Sequence, residues 1–227
     1  MKGAGTLGEH FSELFGAPLA DSSLADRRAR LPWEIFAELM RRMLRPRATA
    51  EGEPEAFWRG WRLVALDGTQ FTLTNAPPIK RQVTKARTRR GRAAFAKLPT
   101  AVLLEVGLHN PLAAAVGEPG DAEAALARTL LPTIPEQALV LADRLYGCGA
   151  FAATLQATCA TVGSQFLVRV PSAVKGRVLE SLGDGSRVLV VPVRPRHRPT
   201  PDVRTLTVRE IQVRVARAGH RGTTLRL

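Results

Sequence analysis

The sequence predicts a mixed α/β fold, with a helical region ahead of a sheet and a β-rich region behind it. Three patterns carry that prediction. Apolar runs of strand length, bounded by turn residues, recur between Arg62 and Val170. Helical periodicity precedes the first of them and separates later ones. After Pro171 the pattern changes to the alternation of short strands. At 227 residues the chain suits one or two domains and can bury a sizeable core.

In order, residues from about Ser22 to Arg45 read as helical, because Leu31, Ile35, Leu39 and Met43 recur at helical spacing among arginines and glutamates. RPRATAEGEPEA (45–56) carries two prolines and a glycine and reads as a linker. RLVALDGT (62–69) is an apolar run ended by a turn, as expected of an internal strand. LPTAVLLEVGLH (98–109) and PLAAAVGEP (111–119) read as two strands joined by a turn at Asn110-Pro111. GDAEAALARTLLPTI reads as a helix with Asp121 as N-cap and Pro132 as stop. QALVLADRLYG (137–147) is a second strand ending in an aspartate, followed by a helix through about Ala160 and the strand SQFLVRV (164–170). Beyond Pro171, SRVLVVPVRP (186–195) and VRTLTVREIQVRVARAG (203–219) alternate like strands, with the basic loop RPRHRPTPD between them.

Composition narrows the function classes. Aromatics make up 5% of the chain, so Leu, Val and Ala must fill most of the core. No apolar run nears the ~20 residues of a membrane helix, and the N-terminus lacks a uniformly apolar signal. A cytoplasmic protein without membrane partners is expected. Cys148 and Cys159 lack the paired spacing of a zinc site and read as small core residues. The four histidines are scattered and suggest no general base. Net charge is +13, and 28 of the 33 basic residues are arginine. Such an excess points to a polyanion, with nucleic acid leading; a GC-rich coding sequence accounts for part of it equally well.

Asp67 and Asp143 both end apolar runs and precede turn or helix-start residues. In open α/β sheets, sites form at the carboxyl ends of strands. If the two strands are neighbours, the carboxylates meet at one edge, where a divalent cation offsets their repulsion. Mg²⁺ suits such a pair, keeping positions open for water and a substrate phosphate. The same two residues also suit plain turn initiation, which Asp favours. ALDGT is close to the Asp-x-Asp-Gly-Thr motif of haloacid-dehalogenase-like phosphatases, but Ala65 stands where their nucleophile would be. KRQVTKARTRRGRAAFAK (80–97) holds eight basic residues and no acidic one, and reads as a flexible segment able to track a phosphate backbone. Its one aromatic, Phe95, makes a poor platform for single strands.

Together LVALDGT (63–69), the Arg/Gly-rich segment leading into RRGRAAFAKLPTAVLLEVGLHNPL, and LVLADRLYG (139–147) resemble the DDE-type transposases of bacterial insertion sequences, in the group named after insertion sequence four. The resemblance spans roughly residues 22 to 227. It implies a ribonuclease-H-like mixed sheet core at 58–170, a helical N-terminal region and linker at 1–57, and a β-rich insertion at 171–227. It further implies Asp67 and Asp143 as catalytic, metal-binding carboxylates for Mg²⁺ or Mn²⁺. The partners implied are double-stranded DNA, as transposon ends and target, and a second copy of the chain in a homodimer. Lys85, Arg87, Arg89, Arg90 and Arg92 would bind DNA, with Arg144 and Tyr146 contacting it near the cleavage point. Leu145 departs from the family, where glycine is common at that position.

The family's third carboxylate sits in Tyr-x-x-Arg-x-x-x-Glu-x-x-x-x-x-x-Lys. For Glu180 the Tyr and Arg positions hold Ala173 and Gly176; for Glu210 they hold Val203 and Leu206. The only tyrosine is Tyr146. The expectation is therefore a transposase chain cut before its C-terminal catalytic helix, inactive by itself. Two alternatives stand beside it: a non-catalytic DNA-binding or regulatory fragment competing with full-length transposase, and a nuclease of the same fold whose last carboxylate comes from elsewhere.

Overall fold

The computed structural model describes residues 7–17, 20–83, 85, 87–88, 91–193, 204–216 and 222–227. It divides into two compact units, Met1–Leu44 and Arg45–Leu227.

The first unit holds α1 (Leu7–Phe15), α2 (Asp21–Arg30) and α3 (Trp33–Met43). The continuous helix expected from Ser22 is thus broken at Leu31-Pro32. Proline lacks the N–H for the helical bond and pushes its predecessor out of the α region. On α3, Ile35, Leu39 and Met43 keep the expected spacing, and all three are exposed.

The second unit is built on a six-stranded sheet. Its strands are β1 (Phe57–Trp58), β2 (Trp61–Thr72), β5 (Lys97–Glu105), β6 (Asn110–Val116), β7 (Ala138–Ala142) and β8 (Gln165–Val168). Short β3 (Arg87–Thr88) and β4 (Gly91–Arg92) form a separate hairpin after α4 (Pro77–Gln82). The basic stretch expected to be flexible therefore carries a helix turn and a hairpin in its described residues.

The main order is β6-β5-β2-β7-β8, with β1 pairing on β2. β6, β5 and β2 run antiparallel, while β2, β7 and β8 run parallel. This is a mixed sheet, as expected from the sequence. Alternation decides which side is core: Val64, Leu66, Ala101, Leu103, Ala138 and Val140 are buried, while the residues between them are half-buried. α5 (Glu123–Leu130) and α6 (Gly149–Thr161) supply Ala127, Leu130, Phe151, Leu155 and Cys159 to the same cluster.

Three local expectations are corrected. The β5–β6 turn spans Val106–His109, with His109 in the left-handed region at φ 51°; Asn110 and Pro111 already belong to β6. Asp121 does not cap α5, because its Oδ2 accepts the Glu118 N–H at 2.8 Å and Ala122 holds the cap position. Cys159 is buried, which pushes its thiol up to about 11, but Cys148 is exposed at the start of α6.

Beyond Pro171, β9 (Arg177–Ser181), β10 (Arg187–Val193) and β11 (Arg204–Glu210) make an antiparallel sheet in the order β11-β10-β9. β12 (Gln212–Val215) and β13 (Thr223–Arg226) form a hairpin. These are the β-rich elements expected there; the basic loop RPRHRPTPD lies outside the described residues. No helix among the described residues is long and apolar enough to cross a membrane.

The segment read as a linker packs onto the sheet instead, so the boundary falls at Leu44/Arg45 rather than after residue 57. Its anchor is Glu105, which is 0% exposed. Its carboxylate accepts the backbone N–H groups of Arg47 (3.1 Å) and Ala48 (3.2 Å), the Asn110 side-chain amide (3.3 Å) and the Arg62 guanidinium. Burial alone would raise the Glu105 pKa, but these four donors hold it below the ordinary carboxylate value. Glu105→Ala, which leaves Arg62 without its carboxylate, is expected to cost about 3–5 kcal/mol in urea unfolding. Because the folded pKa is depressed, this contribution is complete above the ordinary carboxylate range. It is lost as pH falls through the lowered value, so Glu105→Gln should flatten the acid limb of the stability profile.

Candidate active site at the sheet edge

The parallel strands place the two sequence-marked aspartates side by side. β2 and β7 pair at a constant offset of 76 residues, from Arg62 with Ala138 to Leu66 with Ala142, and the same offset separates Asp67 from Asp143. Each is one step beyond the last paired residue, on strands ~4.8 Å apart. β7 and β8 pair at an offset of 26, from Leu139 with Gln165 to Ala142 with Val168; the same step leads from Asp143 to Arg169. Asp67, Asp143 and Arg169 therefore form one row. They line a single cleft of about 420 Å³ with Ala65, Leu66, Leu141, Ala142, Leu167 and Leu227. Arg169 was not singled out from the sequence, although its place at the end of the run SQFLVRV was the available signal.

The expected turn after Asp67 does not form. β2 continues through Gly68 and Thr69 to Thr72, because β5 pairs with it along that length, Asp67 opposite Val102. What ends beside Asp67 is the pairing with β7. Asp143 does begin a turn: its Oδ1 accepts the Leu145 N–H at 2.6 Å, and its carbonyl accepts the Tyr146 N–H at 3.2 Å. Asp67 Oδ1 accepts the Gly68 N–H at 2.8 Å. Both carboxylates are exposed, and neither Oδ2 has a hydrogen-bond partner among the described residues.

Behind the row lies a group that sequence reasoning missed. A methyl carbon on Gly68 would stand 1.9 Å from Glu123 Cδ and 2.2 and 2.3 Å from its oxygens. The Glu123 carboxylate fills the space, so any side chain at position 68 would push it aside. Glu123, in the first turn of α5, accepts the Tyr146 hydroxyl at 2.7 Å. Tyr146 is 0% exposed, its ring 5.0 Å from that of Phe151. Burial first, then the Glu123 bond and charge, with Asp67 and Asp143 adding, push its phenol well above the ordinary range. It stays a hydroxyl donor. The next residue, Gly147, has no side chain because a methyl carbon would meet the Arg169 carbonyl oxygen at 2.5 Å.

Tyr146, expected to contact DNA, offers no surface to a phosphate and points inward. Arg144 is exposed beside Asp143. Lys85 donates its ammonium to the Ala94 carbonyl, Arg92 is exposed on β4, and Arg87 stands in β3. Arg89 and Arg90 lie outside the described residues. Glu210, tested above as a third carboxylate, is buried and bound by Arg187 and Arg226, which with Gln212 hold its pKa down against burial. Among the described residues, no group of three or more His, Cys, Asp or Glu could hold a metal ion. Two adjacent carboxylates with free oxygens, in a cleft open to water, still fit one hard divalent cation that keeps most of its waters. The steric reading of Gly68 has a direct check. Gly68→Ala should destabilise the fold by about 1–3 kcal/mol, and adding Glu123→Ala should recover most of that loss in denaturant unfolding.

No family model matches the chain. It is 30% identical over 129 residues to the curated protein named "Putative transposase InsZ" of Escherichia coli (strain K12), a match covering 56% of this chain and 43% of that relative. The chain thus aligns with less than half the length of that protein. Among solved structures, the Mos1 transposase paired-end complex with left transposon end aligns at 12% identity, over 70% of this chain and 56% of that one. Its TM-score of 0.31 is too low to carry weight. By sequence, then, the chain is similar over 129 residues to part of one curated protein named a putative transposase.

Proposed function

We propose that the chain is the part of a DNA transposase of the insertion-sequence-four-like group that supplies the first two catalytic carboxylates and a DNA-binding surface. These 227 residues alone bind DNA without cutting it. The observation that carries this reading is the shared register of Asp67 and Asp143 on neighbouring parallel strands, both lining one cleft with Arg169.

In this reading Asp67 and Asp143 would hold the cation. Bound there, Mg²⁺ or Mn²⁺ would polarise a phosphodiester oxygen and acidify a bound water. Arg169 offers a charge-assisted donor to the phosphate in the same cleft, and exposed Arg144 extends the positive rim. Arg92 and its neighbours on the basic segment position the duplex through its backbone, which orients DNA without reading sequence. The reaction so assigned is hydrolysis at a transposon end, then attack of the freed 3′-hydroxyl on target DNA.

Inactivity of the 227 residues follows from the donor set. Glu180 lies exposed on β9, Glu210 is locked by arginines, and neither matches the third motif. The same observation favours the second reading, a DNA-binding fragment that competes with an intact transposase.

Anisotropy titration of a labelled duplex should show affinity falling steeply and linearly in log salt. Arg92→Ala or Arg144→Ala should each lower the slope by about 1. Salt-insensitive binding would sink the DNA reading, and Mg²⁺-dependent cleavage products would sink the claim of inactivity. Mn²⁺ at about ten times its Kd should add about 1.4 kcal/mol of stability to the wild type. It should add none to Asp67→Asn or Asp143→Asn, and in EDTA both variants should be at least as stable as the wild type. Equal stabilisation of all three proteins would remove the metal from Asp67 and Asp143.

A further inference from the structure

The two strand-end aspartates are joined by a continuous chain of contacts behind the cleft. From Asp67 it runs one residue along β2 to Gly68, whose absent side chain is replaced by the Glu123 carboxylate. It continues from Glu123 Oε1 to the Tyr146 hydroxyl at 2.7 Å. It closes at the Tyr146 backbone N–H, which donates to the Asp143 carbonyl at 3.2 Å. Each link is over-determined. Gly68 is fixed by pairing with Ala101 on β5, and Glu123 belongs to the first turn of a helix whose Ala127 and Leu130 are core residues. The Tyr146 ring lies in the same core against Phe151, itself covered by the Arg128 guanidinium 5.6 Å from its ring centre.

We propose that Glu123 and Tyr146 are positioning residues for the metal pair: they tie the Asp143 turn to β2 and so set the distance between the two carboxylates. The inference rests on the metal-binding reading of Asp67 and Asp143. A brace is useful at this point because the ladder between the two strands ends before it reaches the aspartates. Pairing of β2 with β7 stops at Leu66 and Ala142, and like charges one step beyond would push the ends apart. Glu123 is not a third ligand in this scheme. Its Oε1 is taken by Tyr146, and it belongs to no metal-competent group among the described residues. It acts as outer-shell partners of metal ligands do, by holding geometry.

The test uses the 227-residue chain, with Mn²⁺ as probe, and compares Tyr146→Phe with Glu123→Gln. Phenylalanine keeps the buried ring and removes only the hydroxyl, whereas glutamine keeps an oxygen to accept it. If the pair positions the aspartates, Tyr146→Phe weakens Mn²⁺ binding in calorimetry about tenfold and Glu123→Gln stays within about twofold of wild type. If Glu123 merely adds negative charge, the order reverses: Glu123→Gln weakens binding and Tyr146→Phe does not. That result would overturn the proposal.

Amide hydrogen exchange without metal supplies an independent readout. Tyr146→Phe should raise exchange together at Gly68 and Leu145 while leaving the β5–β6 hairpin protected. Unchanged protection at both amides would overturn the brace, whatever the metal does. Should the wild type bind no Mn²⁺, the metal reading fails on its own, and hydrogen exchange alone then decides whether the brace exists.

Discussion

The site depends on a mismatch in how the central strand is paired. β5 accompanies β2 from Val64 to Thr72, whereas β7 accompanies it only from Arg62 to Leu66. Past Leu66 one flank of β2 is locked in a ladder and the other faces the cleft. Asp67 therefore sits on rigid backbone while its side chain reaches open space, a combination that a loop residue lacks. Asp143 reaches the same level because its strand ends there and its turn is closed by the Leu145 and Tyr146 amides. Arg169 completes the row by the same logic on β8.

Two buried glutamates organise the periphery of this unit. Glu105 gathers the 45–48 segment and Arg62, and Glu210 gathers Arg187, Gln212 and Arg226. Burying a carboxylate is costly, and a single arginine seldom offsets it; several donors together do. In both cases the donors win over burial, holding the carboxylate ionised. A consequence follows for the charge balance. Arg62, Arg187 and Arg226 serve inside the fold, and Arg209 pairs with Asp184, so these arginines are engaged by carboxylates of the fold rather than offered to DNA.

Legibility in the sequence followed the range of the interactions involved. The strands 138–142 and 165–168 and the helix 149–161 were readable because their apolar patterns are local. Boundaries set by distant partners were not. The 45–56 segment has linker composition, and only Glu105, more than fifty residues away, draws it onto the sheet. Gly68 and Thr69 have turn composition, yet the β5 ladder keeps them extended. Tyr146 reads as a surface contact beside Arg144, but its ring lies in the core. The break at Pro32 is legible in the sequence, since the effect of proline on a helix is purely local.

What the sequence by itself determined is the chemistry on offer: two aspartates at the ends of apolar runs, a basic segment, and no third carboxylate in its motif. Residue type and local pattern suffice for that, because ionisable groups and strand-forming runs are properties of short stretches. What only the tertiary structure decided is proximity. The common offset of 76 acquires meaning once β2 and β7 are parallel neighbours, and Glu123 enters the site only when α5 folds back over Gly68. Those contacts arise from the packing of one helix and three strands around a shared core. No local pattern encodes them, because each partner's part in the contact is defined by the other's position.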